Sequence, residues 1–259
     1  IFFCFRSEIK IVMNVLKNTL INKNILIYGC GKTGISCFNF LKNKSNINVY
    51  DDDQKKIPKK IKKDYFLNIK KITKKNFEYI ILSPGININK CNLKIFLLKN
   101  KNKIITDLDM FYFYNSKNLK ITITGTNGKS TTSKLLYEIL KKHKKKVELI
   151  GNIGKPVLSA HSKSYRTIFV IEASSYQIDY SKYFKTDHSM ILNIDLDHLE
   201  RHGTVTRYAR AKFKLVKKQK KNGYAFLNKN NKYLKKFLKS EKKLPKIIHV
   251  NMSYLKKIR

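Results

Sequence analysis

The stretch Leu119-Lys120-Ile121-Thr122-Ile123-Thr124-Gly125-Thr126-Asn127-Gly128-Lys129-Ser130-Thr131-Thr132 decides the fold. A run rich in β-branched residues enters a glycine-bearing turn, and a helical pattern with Leu135, Leu136, Ile139 and Leu140 leaves it. The full G-x-x-x-x-G-K-[ST] string fails, because Ile123 stands where its first glycine belongs. The physics of that string survives the difference. Backbone N–H groups from Gly125 to Ser130, including Thr126, Asn127 and Gly128, can cradle a triphosphate at a helix start. Lys129 can reach the outer phosphates, the Ser130 hydroxyl can meet Mg²⁺, and Thr131 continues the same turn. ATP and Mg²⁺ are therefore the expected ligands of Gly125, Thr126, Asn127, Gly128, Lys129, Ser130 and Thr131.

Outward from this loop, short apolar runs alternate with helical patterns from Asn24 onward, which predicts an α/β protein with parallel sheets. Strands are expected at 25–28, 48–50, 79–82, 103–105, 119–122, 147–150, 168–171, 190–193 and 225–227. These are too many for one small domain, and the pattern restarts near Asp107. A Rossmann-like domain over 13–108 and an ATP-binding domain over 109–259 are expected, with residues 1–12 a leader outside the fold, since the first Met is Met13. The first domain carries Gly29-Cys30-Gly31-Lys32-Thr33-Gly34 between a strand and a helix, a G-x-G-x-x-G match in which glycines allow a pyrophosphate to approach the backbone. Asp51 ends the second strand and can accept from a ribose or base. Ser83-Pro84-Gly85 follows the third strand at the same sheet edge. Gly31, Lys32, Thr33, Asp51 and Ser83 are the candidate contacts, and the spacing alone leaves a nicotinamide cofactor and another nucleotide diphosphate both open.

Composition narrows the class. Of 56 Lys and Arg against 17 Asp and Glu, only six are Arg, and the lysines are spread throughout the chain with a general excess of Asn and Ile. A nucleic-acid reader would favour arginine forks gathered on one face, so a coding bias explains the charge better and no nucleic-acid partner is expected. Cys4, Cys30, Cys37 and Cys91 have neither metal nor disulfide-framework spacing, which fits a reducing cytoplasm. No apolar run approaches the roughly 18 residues of a membrane span. A monomer is expected.

Three later strings join the two loops: Gly151-Asn152-Ile153-Gly154-Lys155-Pro156, Glu172-Ala173-Ser174-Ser175-Tyr176-Gln177 and Asp197-His198-Leu199-Glu200-Arg201-His202-Gly203. In this order, over residues 13 to about 227, they resemble the Mur ligase family, and within it the D-glutamate-adding branch; the ATP loop is also similar to that of folylpolyglutamate synthetases. The resemblance implies a Rossmann-like N-terminal domain for the uridine diphosphate part of a substrate, a central ATPase domain, and a third domain for the incoming amino acid. It implies ATP-dependent joining of D-glutamate to UDP-N-acetylmuramoyl-L-alanine through an acyl phosphate. Lys129 would neutralise phosphates, Ser130 and Glu172 would hold a first Mg²⁺, and Asn152 would meet substrate. His198 would serve as second-metal ligand or acyl-phosphate contact, while His202 stays open. The third domain is expected to be absent from this chain, which would then make no amide bond by itself. A non-catalytic nucleotide-binding protein is the rival of another class.

On a helix from about Thr204, Tyr208, Ala211, Lys212, Leu215, Val216 and Gln219 share one face, while Lys214, Lys217, Lys218 and Lys221 share the other. Lys212 is thus expected to point inward, where burial lowers an ammonium pKa and favours a neutral amine able to capture CO₂. The resemblance implies a carbamate on Lys212 that helps hold a second Mg²⁺. Near the C-terminal end of the chain, Phe226, Phe237 and Ile247 are expected to be poorly covered.

Overall fold

The computed structural model describes residues 19–59, 61, 63–160, 164–228 and 230–250. They form two compact units, one running to Ser116 and including Tyr180–Tyr183, the other holding Lys117–Asp179 and the chain from Phe184 onward. The expected leader, residues 1–12, lies outside the described residues.

The first unit is a four-stranded parallel sheet in the order β2-β1-β3-β4, with β1 Asn24–Tyr28, β2 Asn46–Tyr50, β3 Tyr79–Leu82 and β4 Ile104–Ile105. Helices α1 Lys32–Leu41, α2 Ile69–Lys74, α3 Lys94–Lys99 and α4 Asp107–Asn115 connect or follow the strands. Leu26, Tyr28, Ile80, Leu82, Phe77 and Leu97 form one core cluster. Strands buried on both faces read as unbroken apolar runs, which is why Ile25 to Tyr28 and Ile80 to Leu82 were legible. The unit boundary falls eight residues beyond Leu108, because α4 is built into the first unit. Its start is closed by a reciprocal capping box between Thr106 and Asp109, and Asp109 Oδ1 also accepts from the backbone N–H groups of Lys182 (3.0 Å) and Tyr183 (2.7 Å).

The second unit is a six-stranded parallel sheet in the order β10-β9-β8-β5-β7-β6. The strands are β5 Lys120–Thr124, β6 Val147–Gly151, β7 Ile168–Glu172, β8 His188–Ile191, β9 Tyr224–Asn228 and β10 Lys246–Val250. Helices α5 Lys129–Lys142, α6 Ser175–Tyr180, α7 Leu199–His202, α8 Val205–Lys217 and α9 Lys232–Ser240 complete it. Strand β10 was not expected; its Ile-Ile pair sits among Lys, His and a preceding Pro245, and it is largely exposed, so it lacks the apolar run of a buried strand. It nevertheless pairs with β9 and corrects the expected exposure. Phe237 is buried, its ring 5.3 Å from that of Phe213, while Phe226 is half-buried and Ile247 packs against the same cluster. Helix α8 is set as expected, with Thr204 as its cap and Tyr208, Ala211, Lys212, Leu215 and Val216 all buried. Helix α5 differs, for Leu135 and Ile139 are exposed.

Candidate active site

Both sheets reverse their order of growth beside the first strand. In the second unit β6 and β7 lie on one side of β5 and β8 on the other, so the crevice at the carboxyl ends of β5 and β8 is a topological switch point, where open α/β sheets bind ligands. The loop Gly125 to Gly128 opens into it. Gly128 caps α5 at φ 77°, a left-handed conformation that suits glycine. A Cβ on Gly125 would lie 3.1 Å from that of Leu192, so the loop packs closely on the chain leaving β8.

Asn193, on that chain, grips the loop. Its Oδ1 accepts from Thr126 N (2.9 Å) and Asn127 N (2.8 Å), and its Nδ2 donates to Asn127 O (3.1 Å). The Thr126 hydroxyl accepts from Asp195 N (3.0 Å) and lies 3.2 Å from the Tyr208 hydroxyl. In this structure the Thr126 and Asn127 amides donate to Asn193, while the first amides of α5 have no intrahelical acceptor and suit an anion. The sequence reading missed Asn193, having placed it at a strand end. Its signal was an amide at the C-terminal end of an apolar strand, next to the Asp197-His198 string.

Two lysines converge on one carbonyl. Lys129 Nζ donates to Gly125 O (3.0 Å) and Thr126 O (2.7 Å), and Lys212 Nζ donates to Gly125 O (2.9 Å) and Thr124 Oγ1 (3.3 Å). Lys212 is 1% exposed and its Nζ lies 4.5 Å from the Tyr208 ring centroid. Burial, reinforced by the Lys129 charge, pushes the Lys212 pKa down to about 7. The same burial raises the Tyr208 hydroxyl to about 12.

Beside them, Glu172 at the end of β7 is buried and bridges two partners. Its Oε2 accepts from Ser130 Oγ (2.8 Å) and its Oε1 from Asn152 Nδ2 (2.9 Å). The Gly151 turn makes this possible, since at φ 115° a Cβ there would collide with the Glu172 carbonyl. Asn152 therefore orients Glu172 through its amide group. His198, at φ 54°, has Nε2 3.3 Å from Asp197 Oδ2 and its ring 4.9 Å from that of Tyr176 and 5.9 Å, edge-on, from that of Tyr208. His202 is buried, with Nε2 3.1 Å from Ser175 Oγ, and burial lowers its pKa. Thr131 is exposed on the first turn of α5. Among the described residues no three His, Cys, Asp or Glu gather as a metal cluster. The hydroxyl and carboxylate of Ser130 and Glu172 suit Mg²⁺, a hard cation that keeps waters and takes further oxygens from phosphates.

The first unit repeats the arrangement with different parts. Its switch point lies between β1 and β3, and the Gly29 loop and Ser83 turn meet there, Ser83 Oγ donating to Gly29 O at 2.8 Å. Asp51 is buried, and its carboxylate accepts from Cys30 N (2.6 Å) and Asp53 N (2.9 Å); it shapes the loop. Asp52 takes the Tyr28 hydroxyl at 2.6 Å. Lys32 is exposed and Thr33 half-buried. Cβ atoms on Gly31 or Gly85 would meet nothing within 4 Å, so at these two points the backbone faces open space. A cavity of about 1090 Å³ opens beside Tyr50, Asp51, Asp52 and Asn92.

Fold and loops define a protein of two parallel α/β units, each with a glycine-bearing loop at its switch point. Comparison with known proteins then places it more closely: the Mur ligase middle domain matches residues 123–257 and the Mur ligase MurD-like N-terminal domain matches residues 23–106. The chain belongs to the Mur ligase family. It is 41% identical over 216 residues to UDP-N-acetylmuramoylalanine--D-glutamate ligase of Rickettsia bellii, covering 82% of this chain and 47% of that protein. To the enzyme of the same name from Caldicellulosiruptor bescii it is 36% identical over 220 residues, covering 81% and 48%. The chain thus spans about half the length of the curated relatives it matches. Among solved structures, UDP-N-acetylmuramate:L-alanyl-gamma-D-glutamyl-meso-diaminopimelate ligase from Neisseria meningitides shares the fold, with a TM-score of 0.55 at 14% identity over 88% of this chain and 77% of that one. Among the described residues no helix is long and apolar enough to cross a membrane.

Proposed function

We propose that this chain supplies the substrate-binding and ATP-binding parts of a ligase that adds D-glutamate to UDP-N-acetylmuramoyl-L-alanine, in the cytoplasm. The convergence of Lys129 and Lys212 on the Gly125 carbonyl, next to the Ser130–Glu172 pair, carries this reading. A free carboxylate resists attack by an amine, because oxide would have to leave. In the reaction proposed, an oxygen of the L-alanyl carboxylate attacks the γ-phosphorus of ATP and ADP departs. The D-glutamate nitrogen then attacks the acyl carbon, phosphate departs, and the nitrogen loses its proton.

Phosphoryl transfer of this kind depends on positioning and on neutralising spread charge. Lys129, on the loop, would move from the loop carbonyls to the outer phosphates. Ser130 and Glu172 would hold Mg²⁺, which when bound would supply positive charge to offset that of the phosphates, and Asn152 would keep the Glu172 carboxylate oriented. A pKa near 7 leaves much of Lys212 as the neutral amine at neutral pH, the form that adds CO₂ and releases a proton to give an anionic carbamate. His198, on its exposed turn, would face the acyl phosphate or a second Mg²⁺. In the first unit, the open backbone at Gly31 and Gly85 would take the uridine diphosphate, with Lys32, Thr33, Asp51 and Ser83 shaping or lining that place.

The test is the first half-reaction. With ATP, Mg²⁺, bicarbonate, UDP-N-acetylmuramoyl-L-alanine and hydroxylamine, the chain should release ADP and form the substrate hydroxamate in equal amounts. Release of ADP without hydroxamate counts against the acyl phosphate. Binding of NAD more tightly than the UDP substrate counts against the assignment of the first site.

A further inference from the structure

The grip of Asn193 on the Gly125 loop is the feature that the motifs do not account for. One planar side-chain amide satisfies three backbone groups: two consecutive N–H donors, Thr126 and Asn127, on its oxygen, and the Asn127 carbonyl on its nitrogen. Its own backbone carbonyl accepts from Thr126 N as well, at 3.1 Å. Two residues on, Asp195 N holds the Thr126 hydroxyl. The chain leaving β8 therefore holds the loop at Thr126 N, the Thr126 hydroxyl, Asn127 N and Asn127 O, while Lys129 takes the Thr126 carbonyl.

From this we infer that Asn193 is a positioning residue for the nucleotide: it removes two loop amides from competition and fixes the remaining turn so that the first amides of α5 face the phosphates. This rests on the reading of the loop as the ATP site. The chemistry needs asparagine. A buried or half-buried amide donor and acceptor must both be paired, and the loop offers a matched set. Aspartate has the same shape but lacks the donor; it would set a carboxylate oxygen against the Asn127 carbonyl and place a negative charge beside an anionic ligand. Alanine leaves the Asn127 N–H and carbonyl without these partners and Thr126 N with only the backbone carbonyl of residue 193, so the Asn127 end of the loop is free to turn elsewhere.

The experiment uses the full chain with Mg-ADP as probe, followed by calorimetry, together with hydrogen exchange at the Thr126 and Asn127 amides and thermal melting. Asn193→Ala should weaken Mg-ADP binding about 10-fold, roughly 1.4 kcal/mol, and speed exchange most at the Asn127 amide and less at Thr126, which keeps the backbone carbonyl of residue 193. Asn193→Asp, nearly isosteric and the variant to rely on if Ala does not fold, should weaken binding about 100-fold while melting within a few degrees of the parent chain. In the hydroxamate assay the KM for ATP should rise and the KM for the UDP substrate should not, a split that general loosening would not produce. Parent-like binding by both variants overturns the proposal alone. Failure of the parent chain itself to bind Mg-ADP overturns the ATP-site reading and this proposal with it.

Discussion

The two glycine loops occupy equivalent places in their sheets, yet they are braced by opposite kinds of side chain. The Gly29 loop is held by a buried carboxylate, Asp51, and a hydroxyl, Ser83. The Gly125 loop is held by a neutral amide, Asn193, with two lysines at its carbonyl. A buried carboxylate lies beside each loop, Asp51 at the first and Glu172 at Ser130 of the second, but only the second gathers two ammonium groups at one backbone carbonyl. The first loop enters its helix through Gly31 at φ −68° and the second through Gly128 at φ 77°, and under the function proposed above the first would meet a diphosphate and the second a triphosphate. Folding the loop and choosing its ligand are separate tasks, given to separate residues.

The sharpest way to break the comparison is steric. Gly34→Ala would place a Cβ 1.8 Å from the Gly29 carbonyl oxygen. It should destabilise the first unit by about 3 kcal/mol or more in urea unfolding, while Mg-ADP binding by the second is retained. Loss of both together would show that the loops are not independent.

A second effect of similar size comes from pH. Lys212 has a folded pKa near 7, below its unfolded value near 10.5, so between these the unfolded chain holds more protons and stability rises with pH. Its penalty is complete below about pH 7 and gone above about pH 10.5. Relative to Lys212→Met, the parent chain should gain roughly 3 kcal/mol between pH 7 and pH 10. Equal slopes for the two proteins would show that the ammonium is not desolvated in the fold.

Next, Lys129→Met should cut ATP affinity about 100-fold, near 2.7 kcal/mol, and leave UDP-substrate affinity unchanged. An equal loss at both ligands would erase the distinction between the loops. The smallest change in stability is expected at Gly31→Ala and Gly85→Ala, where open space should hold the cost within about 0.5 kcal/mol. There the readout is calorimetry with the UDP substrate, which should bind about 10-fold more weakly; unchanged affinity would mean that the ligand does not pass these points.

What the sequence made legible followed from covalent neighbours. Strands such as Ile168 to Ile171 are continuous apolar runs, and the inward face of α8 with Lys212 follows from the helical period. The loop residues Lys129 and Ser130 are adjacent in the chain, and their chemistry could be read together. What stayed hidden depends on pairing across the sheet. Asp51 serves Cys30 because β2 lies beside β1, and Asn193 serves Thr126 because β8 lies beside β5; neither adjacency has a signature in residue order. Strand β10 was hidden for a different reason, since a largely exposed edge strand needs no apolar face on either side. The exposed Leu135 and Ile139 also run against periodicity, which finds an apolar stripe without saying what covers it.

The shared Gly125 carbonyl has a thermodynamic consequence for ligand entry. Because the charge of Lys129 is one of the causes holding the Lys212 pKa low, any anion that neutralises Lys129 relieves that cause and lets the second amine rise toward its ordinary basicity. Arrival of a nucleotide would therefore draw protons from the medium near neutral pH, and its apparent binding enthalpy would vary with the ionisation heat of the buffer. Were Lys212 to take up CO₂ as proposed above, its neutral amine would be most available before a nucleotide arrives.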